Sequence, residues 1–337
     1  MEAIKEKEQQ FKEAAELIEN VKREISSFIV GQEDVVDQVL WSIFSSGHVL
    51  LEGLPGLGKT MLVRTIAECL DLSFSRIQFT PDLMPSDITG TMLLQPNEDG
   101  RQEFVFHKGP LFSNIVLADE INRATPKTQS ALLEAMGEKT VTVMGETKTM
   151  ESPFFVLATQ NPIDMEGTYP LPEAQMDRFI CKINVHYPSR EELKEIVLRT
   201  TGVSTVSLKK IADSAQVTGL QKLAKEILVS EDVLNTAVEM IAATHPDSES
   251  APGTVKQFVQ YGSGPRGLQS LITMAKARAI CSGRYHASTG DLKHVAFPVL
   301  RHRLLLNFEG EAAGITADSI IGDVLETATK QGSRSAR

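Results

Sequence analysis

The stretch Gly53-Leu54-Pro55-Gly56-Leu57-Gly58-Lys59-Thr60 decides the fold of this chain. It fills every fixed position of the pattern G-x-x-x-x-G-K-[ST]. The apolar run His48-Val49-Leu50-Leu51 precedes it, and residues 61–67 follow it with the apolar spacing of a helix. A strand, a glycine-rich loop and a helix in this order predict a phosphate-binding loop. The alternative, a glycine-rich turn that binds nothing, is disfavoured by the complete motif in this context.

The residue types of this loop follow from the chemistry of anion binding. Glycines let the backbone turn tightly, so that successive N–H groups and the N-terminus of the helix point at one anion. We predict that Lys59 neutralises the β and γ phosphates of a nucleotide and that the Thr60 hydroxyl is a ligand of magnesium. The loop residues predicted to contact the nucleotide are Gly53, Pro55, Gly56, Leu57, Gly58, Lys59, Thr60 and Met61.

Length and composition favour a two-domain protein of a reducing compartment. At 337 residues the chain exceeds the size at which one core usually keeps growing, and 42% of its residues are hydrophobic. Its net charge of -10 argues against general binding to nucleic-acid phosphates, so no nucleic-acid partner is predicted. Cys69, Cys181 and Cys281 lie far apart without metal-like spacing, which indicates reduced thiols. We therefore expect a cytoplasmic protein.

Neither the N-terminus nor any apolar run indicates export or membrane insertion. Residues 1–8 are charged and lack the apolar core of a secretory signal. No segment holds about 18 or more consecutive apolar residues, so no transmembrane segment is predicted.

Hydrophobic periodicity divides the chain into four regions. Residues 1–28 predict an amphipathic helix that packs on the next domain, and a coiled coil is the alternative, although about two and a half heptads are short for one. Residues 29–188 predict an α/β core, a parallel sheet between helices, with strands near His48, Ile77, Ile115 and Phe154. Residues 189–328 hold only amphipathic helices and predict a smaller all-α domain. The small polar residues 329–337 predict a disordered tail.

Two hairpins interrupt the predicted core. One turns at Asp99-Gly100, and the other turns at Met144-Gly145-Glu146 between two short strand-like runs. Ordinary decoration of a sheet is the alternative to a functional role, because many hairpins have none.

An acidic pair follows the apolar strand at residues 115–118. Acids at the carboxyl end of such a strand face the ligand crevice of an α/β sheet. We predict that Asp119 holds magnesium, usually through water, and that Glu120 orients and activates the attacking water. A solvated acidic turn is the alternative interpretation.

Three further polar residues suit the same chemistry. Asn161 follows the buried strand near Phe154 and could position the lytic water, although Asn-Pro is also a common turn start. Arg178 and Arg266 offer rigid, always-charged donors for the charge that builds on a transferring phosphate. Taken singly, each arginine is more commonly a surface residue.

Together these motifs resemble those of AAA+ ATPases and, more narrowly, those of the MoxR family. The resemblance covers about residues 25–310. The AAA+ resemblance lies in the order of the loop from Gly53 to Thr60, Asp119-Glu120, Asn161, Arg178 and Gly264-Pro265-Arg266-Gly267. The blocks that match the MoxR family more closely are Ile29-Val30-Gly31-Gln32 and residues 119–124, 127–136, 158–162 and 171–179.

The resemblance implies an AAA+ P-loop core with hairpin inserts, a smaller all-α lid domain and a role for each site residue. It implies Lys59 and Thr60 in Walker A, Asp119 and Glu120 in Walker B, Asn161 as first sensor, Arg266 as second sensor and Val30, Gly31 and Gln32 beside the adenine. It also implies Arg178 as the arginine finger that reaches the ATP of a neighbouring subunit, with Arg123 ranked second for that role.

The same resemblance implies an ATP-hydrolysing, chaperone-like protein that forms rings, usually hexamers, and remodels or activates a client protein. Its implied cofactors are ATP and Mg2+, and its implied partner is a protein with a von Willebrand factor A-type domain. The hairpins resemble the helix-2 insert and the pre-sensor hairpin, which can contact clients. Residues Tyr261-Gly262-Ser263-Gly264 depart from the short approach expected before the second sensor.

Other functions stay open at the level of sequence. A nucleotide-gated scaffold with negligible turnover would use the same motifs, although their completeness argues against it. A magnesium-chelatase-like motor subunit shares much of the site, but Asn122-Arg123-Ala124 and Leu171-Pro172-Glu173-Ala174-Gln175 favour the MoxR family. A nucleic-acid motor is disfavoured by the acidic composition.

Overall fold

The computed structural model describes residues 2–97, 101–161, 168–201 and 207–335. In the first half of the chain, helices and strands alternate as the hydrophobic pattern predicts. They are α1 (Glu2–Phe28), α2 (Glu33–Phe44), β1 (Val49–Glu52), α3 (Lys59–Cys69), β2 (Phe74–Gln78), α4 (Pro85–Thr89), β3 (Gly90–Pro96), β4 (Gln102–Lys108), β5 (Ile115–Asp119), α5 (Pro126–Glu138), β6 (Thr140–Val143), β7 (Glu146–Thr149), β8 (Phe155–Gln160), α6 (Glu173–Met176) and β9 (Cys181–Asn184). Short 3-10 helices at Pro110–Phe112 and Ile121–Arg123 flank β5.

Five of the described strands form a parallel sheet in the order β2-β5-β8-β1-β9. Most residues of β1, β5 and β8 are buried, because helices cover both faces of the sheet. The carboxyl ends of parallel strands meet at one edge, so the segments that follow β1, β5 and β8 lie together there. The sequence did not predict β9, because four residues are too few to show a clear strand pattern.

The two predicted hairpins are present as separate two-stranded ribbons. In the first, β3 and β4 pair antiparallel, and the turn predicted at Asp99-Gly100 lies outside the described residues. In the second, β6 and β7 are joined by Met144 and Gly145, which have φ angles of 49° and 85°. Two successive left-handed residues are typical of a tight hairpin turn whose twist matches the strands.

The remainder of the chain, which we call the lid, is mainly helical. It consists of α7 (Arg190–Thr200), α8 (Ser214–Glu226), α9 (Glu231–Ala242), α10 (Gly253–Phe258), β10 (Val259–Tyr261), α11 (Pro265–Cys281), α12 (Thr289–Leu300), β11 (Leu305–Leu306), α13 (Phe308–Ala312) and α14 (Ala317–Ser335). The sequence did not predict the short antiparallel pair of β10 and β11. The predicted fold class, an α/β core with hairpin inserts and a helical lid, is confirmed.

The sequence predicts a disordered tail over residues 329–337, of which 336 and 337 lie outside the described residues. Instead, α14 continues through residues 329–335. This segment contains no proline, and it includes the helix-favouring residues Lys330, Gln331 and Arg334. Among the described residues, no helix combines the length and the apolar character needed to cross a bilayer.

The apolar face of α1 is buried within its own chain. Phe11, Ala14, Ile18, Val21 and Ile25 line the buried side, and the helix contacts α3 of the core and α11 of the lid. The prediction that this helix packs on the adjoining domain is confirmed. Because helices of the same chain cover the apolar face of α1, that face does not require a second chain in a coiled coil.

Two consecutive residues after α12 fasten the lid to the core. The Arg303 side chain is only 3% exposed, and its Nε and Nη2 atoms donate to Asp177 Oδ1 and Phe179 O, both at 2.7 Å. His302 Nε2 also donates to Phe179 O, at 3.1 Å. Burial lowers the pKa of His302 well below its ordinary value, so the ring is neutral. These contacts hold the lid against the segment that leads into β9.

Candidate active site

The carboxyl ends of β1, β5 and β8 border a cavity of about 530 Å³. Motifs that are far apart in the sequence meet there, because the strand order brings their loops to the same edge. The sequence-predicted residues that line it are Pro55, Gly56, Leu57, Gly58, Lys59, Thr60, Met61, Asp119, Glu120 and Asn161.

Glycine is required at three points of the loop between β1 and α3. Gly56 and Gly58 have φ angles of 81° and 75°, in the left-handed region that side chains disfavour. At Gly53, a Cβ atom would lie 2.9 Å from the carbonyl oxygen of Val185, which is too close. Gly53 is thus pressed against the end of the β9 segment, while the rest of the loop faces the cavity.

Lys59 is the cation at the base of this loop. Its Nζ atom donates to Gly53 O at 2.6 Å, which folds the side chain back over the loop. Burial lowers the pKa of Lys59, and the carboxylates of Asp119, Glu120 and Glu52 oppose that shift. The amine therefore lies among three acids, which favour its charged form.

Thr60 and Asp119 place two oxygen donors of the kind that Mg2+ prefers beside this loop. Both line the cavity, one with a hydroxyl group and the other with a carboxylate. Mg2+ prefers hard oxygen ligands and is commonly bound by one or two protein groups together with substrate phosphates. This donor set beside a phosphate-binding loop therefore fits magnesium.

A hydroxyl group on β8 connects the two acids that follow β5. Thr159 Oγ1 donates to Asp119 Oδ1 at 2.6 Å and accepts from the Glu120 N–H at 2.8 Å. Glu120 has a φ angle of 56°, which is uncommon for a residue with a side chain. Backbone strain of this kind clusters at functional sites, where surrounding contacts hold it in place.

Side chains from β2 and the turn after β5 hold the same acids from another side. Arg76 Nη2 and Nε donate to Asp119 Oδ2 at 2.6 and 3.1 Å. Gln78 Nε2 and Arg123 Nη1 donate to Glu120 Oε2 at 2.8 and 3.0 Å. Arg123, the second candidate for an intersubunit finger, thus contacts an acid of its own subunit.

Sequence reasoning missed four residues that line this cavity, namely Arg64, Arg76, Gln78 and Thr159. The polar residues Arg76 and Gln78 alternate at the carboxyl end of a strand, and such residues can face a ligand crevice. That signal becomes informative only when β2 is known to lie beside β5.

A second cavity, of about 470 Å³, contains the segment predicted beside the adenine. It is lined by Val30, Gly31, Gln32, Glu33, Asp34, Val35, His186, Tyr187, Pro188 and Glu192. Gln32 Nε2 donates to Leu57 O at 3.0 Å, so this segment is tied to the phosphate-binding loop. Sequence reasoning did not assign His186, Tyr187 and Pro188, the residues between core and lid, to the site.

The structure does not bring Arg178 and Arg266 into either cavity. Arg178 Nη1 donates to Leu133 O on α5 at 2.8 Å, and Arg266 Nη1 lies 3.9 Å from Asp177 Oδ2. Cys181, the first residue of β9, pairs with Val49, the first residue of β1. Residues 177 and 178 therefore lie near the amino edge of the sheet, whereas the phosphate-binding loop lies at the carboxyl edge. Four strand residues separate these edges by about 13 Å.

Comparisons with known proteins agree with this architecture. Residues 48–181 match the ATPase family associated with various cellular activities (AAA), and residues 254–324 match the AAA lid domain. Chaperone MoxR1 of Mycobacterium tuberculosis H37Rv is 45% identical over 304 residues, covering 90% of this chain and 80% of the relative. The Bacillus subtilis protein YeaC is 41% identical over 315 residues, covering 93% and 94%. A crystal structure from Cytophaga hutchinsonii has a TM-score of 0.91 at 40% identity, covering 97% of this chain and 98% of the other.

Proposed function

Because this chain belongs to the MoxR family of AAA+ ATPases, we propose that it hydrolyses ATP with Mg2+ and uses the energy to remodel client protein complexes. The observation that carries this proposal is the single cavity in which Lys59, Thr60, Asp119, Glu120 and Asn161 meet. Phosphate binding, metal binding and water activation then all have candidate groups in one site.

In this proposal each side chain has one chemical task. Lys59 binds the β and γ phosphates, while Thr60 and Asp119 hold magnesium, which neutralises phosphate charge when it is bound. Asn161 orients the attacking water through its amide. Glu120 accepts a proton as the water oxygen bonds to the γ phosphorus, the bond to the departing oxygen breaks, and ADP and phosphate form.

We also propose that the site is completed by a neighbouring subunit in a ring, with a hexamer as the expected assembly. Arg178 and Arg266 lie near the edge of the sheet opposite the phosphate-binding loop, which supports a role for both in the site of another subunit. Arginines in such positions stabilise the charge that develops on the transferring phosphoryl group. Hydrolysis then depends on assembly.

Mixing two inactive variants tests this arrangement. Lys59→Ala removes the phosphate-binding lysine from a subunit's own site. Arg178→Ala removes the arginine with which a subunit is proposed to act in its neighbour's site. Random mixing in a ring leaves roughly a quarter of the interfaces with both groups intact, so roughly a quarter of wild-type turnover is expected. No recovery in verified mixed rings contradicts a finger that acts on the neighbour.

The matched control mixes two variants that damage the same subunit of each interface. Lys59→Ala and Glu120→Gln both damage the subunit that binds the nucleotide, so their mixture is expected to stay inactive. Arg266→Ala is expected to recover activity when mixed with Lys59→Ala and to stay inactive when mixed with Arg178→Ala. If Arg266→Ala instead recovers activity with Arg178→Ala and not with Lys59→Ala, Arg266 acts within its own subunit.

The biological setting is part of the same proposal. We propose a cytoplasmic ring that acts on a client together with a protein carrying a von Willebrand factor A-type domain. Similarity to chaperone MoxR1 and the exposed apolar residues of the hairpins, Phe104 at 60% and Met144 at 78%, support contact with other proteins. Steady-state ATPase activity with and without a client separates this function from a scaffold, which would show state-dependent binding and negligible turnover.

A further inference from the structure

Arg76 contacts the same carboxylate that magnesium needs. Its Nη2 and Nε atoms lie 2.6 and 3.1 Å from Asp119 Oδ2, while Thr159 donates to the other oxygen at 2.6 Å. Both oxygens of Asp119 therefore accept hydrogen bonds from this chain. A guanidinium and a divalent cation at one carboxylate repel each other, so each weakens the binding of the other.

Of the two donors, Arg76 is the one that can move away. Its side chain is 48% exposed, whereas Thr159 is 1% exposed and also accepts a hydrogen bond from the Glu120 backbone. Arg76 Nη2 additionally donates to Gln78 Oε1 at 2.8 Å, a partner that does not depend on Asp119. Release of Asp119 therefore exposes a flexible cation to water and leaves the buried hydroxyl in place.

The pair also offsets the cost of placing a charged acid at this partly buried position. The Asp119 side chain is only 14% exposed, and a carboxylate in such a site is costly unless a positive partner or hydrogen bonds compensate it. Arg76 provides that charge.

We propose that Arg76 is a built-in cation that competes with magnesium for Asp119 and so sets the magnesium concentration at which nucleotide and metal bind together. This inference rests on the proposed function, because it concerns the metal of the same site. It makes Arg76 a residue that tunes metal affinity. The competing interpretation is that Arg76 binds a phosphate of the nucleotide directly.

The test measures metal binding without relying on turnover. Mn2+ is titrated into the full-length protein with a non-hydrolysable ATP analogue, and electron paramagnetic resonance records free Mn2+. Arg76→Met keeps most of the side-chain stem and removes the charge, so its midpoint is expected to fall about threefold to fivefold, the factor for a partly exposed ion pair. Arg76→Lys keeps the charge but loses the two-atom contact, and an intermediate midpoint is expected.

Two further variants isolate the Arg76–Asp119 contact. Arg23 lies on α1 outside this cavity, and its Nη2 atom lies 3.8 Å from Glu19 on the same helix, so Arg23→Met is expected to leave the midpoint unchanged. In an Asp119→Asn background, Arg76→Met is expected to lower the Mn2+ midpoint no further, because the carboxylate for which Arg76 and the metal compete is absent.

Each outcome has a distinct meaning. An unchanged or raised midpoint in folded Arg76→Met overturns the inference, as does weaker binding of the analogue by this variant in excess EDTA, which would make Arg76 a phosphate ligand. If Arg76→Met does not fold, Arg76→Lys replaces it: a lowered Mn2+ midpoint supports the inference, and an unchanged or raised midpoint overturns it. A wild-type protein that fails to bind the analogue in excess Mg2+ overturns the proposed function instead.

Discussion

Thr159 Oγ1 lies 2.6 Å from Asp119 Oδ1 and 2.8 Å from the backbone nitrogen of Glu120. A hydroxyl group donates one hydrogen bond and can accept others, so one side chain on β8 positions both acids that follow β5. Thr159 is 1% exposed, and the pairing of Ala118 with Ala158 joins the two strands just before these residues. The geometry of the candidate active site therefore depends on a residue to which no contact with ATP is assigned.

Replacing this hydroxyl tests that dependence. We expect Thr159→Val to lower kcat about 10-fold to 100-fold, the usual effect of losing a hydrogen bond that orients a metal ligand, which is the role proposed for Asp119. Valine has nearly the same shape but cannot donate to Asp119 or accept from Glu120. Thr159→Ser keeps the hydroxyl and is expected to retain most activity. Wild-type turnover of folded Thr159→Val in a steady-state ATPase assay would remove Thr159 from this role.

Glu120→Gln is expected to bind ATP with little change and to lose about 100-fold or more in turnover, because an amide cannot accept the proton of the attacking water. Gln78 and Arg123 both donate to Oε2, and the amide oxygen can occupy that position. Equilibrium binding and steady-state turnover measure the two effects. Full retained turnover would exclude Glu120 as the base.

The same variant is expected to hold its clients, because the ATP-bound state persists when hydrolysis stops. Affinity purification of Glu120→Gln with ATP, followed by mass spectrometry, identifies what is retained. Lys59→Ala, which is expected to bind nucleotide poorly, is the control. An enriched protein with a von Willebrand factor A-type domain would support the proposed partner, and identical recoveries from both variants would count against client trapping.

His48 is expected to make the core sensitive to mild acid. Its Nδ1 accepts from the Val156 N–H at 3.0 Å, and its Nε2 donates to Met136 O at 3.1 Å. Burial lowers the pKa of His48 from 6.5 to about 4, so the unfolded chain binds a proton before the folded protein does. Its contribution to stability is complete above pH 6.5 and is lost as pH falls towards 4, by about 3 kcal/mol in all and about 2 kcal/mol by pH 5.

Urea unfolding at pH 7 and pH 5 measures this effect. His48→Gln is expected to be less stable than wild type at pH 7 and to lose about 2 kcal/mol less between the two pH values. The exposed His294, whose Nδ1 lies 2.7 Å from Gly290 O, provides the control, because His294→Gln measures the effect of the same substitution outside the core. An unaltered slope in His48→Gln would assign the acid sensitivity to other groups.

A buried acid is expected to dominate the stability of the lid. Asp291 is 0% exposed and accepts hydrogen bonds from Arg278, Arg284 and Ser288. Burial alone would raise the pKa of Asp291, but the bonds from Arg284, Ser288 and Arg278 outweigh it and lower the pKa. The buried carboxylate is therefore ionised.

We expect Asp291→Asn to lower the free energy of unfolding by about 3 kcal/mol or more, because two arginines then lack their buried counter-charge. The matched control is Asp318→Asn. Asp318 also pairs with an arginine, Arg301, but its side chain is 42% exposed, so a loss of about 1 kcal/mol or less is expected. Denaturant unfolding measures both values, and equal losses would show that burial does not decide the effect.

Much of the fold and the central residues of the candidate site could be predicted from local patterns. The loop from Gly53 to Thr60 carries its own requirements for glycine, and Asp119 and Asn161 follow apolar strands whose ends must meet in a parallel sheet. The burial of α1 also followed from its apolar spacing. These predictions needed only residue types and their spacing.

Strand order and lid docking decided the rest, because they arise from contacts between residues that are distant in sequence. Arg76 can reach Asp119 only because β2 lies beside β5, and no local pattern specifies which strands are neighbours. Likewise, Arg178 and Arg266 lie near the amino edge of the sheet because β9 runs parallel to β1 and the lid packs against its start. The sequence by itself determined which groups are present, whereas the tertiary structure decided which of them face one another.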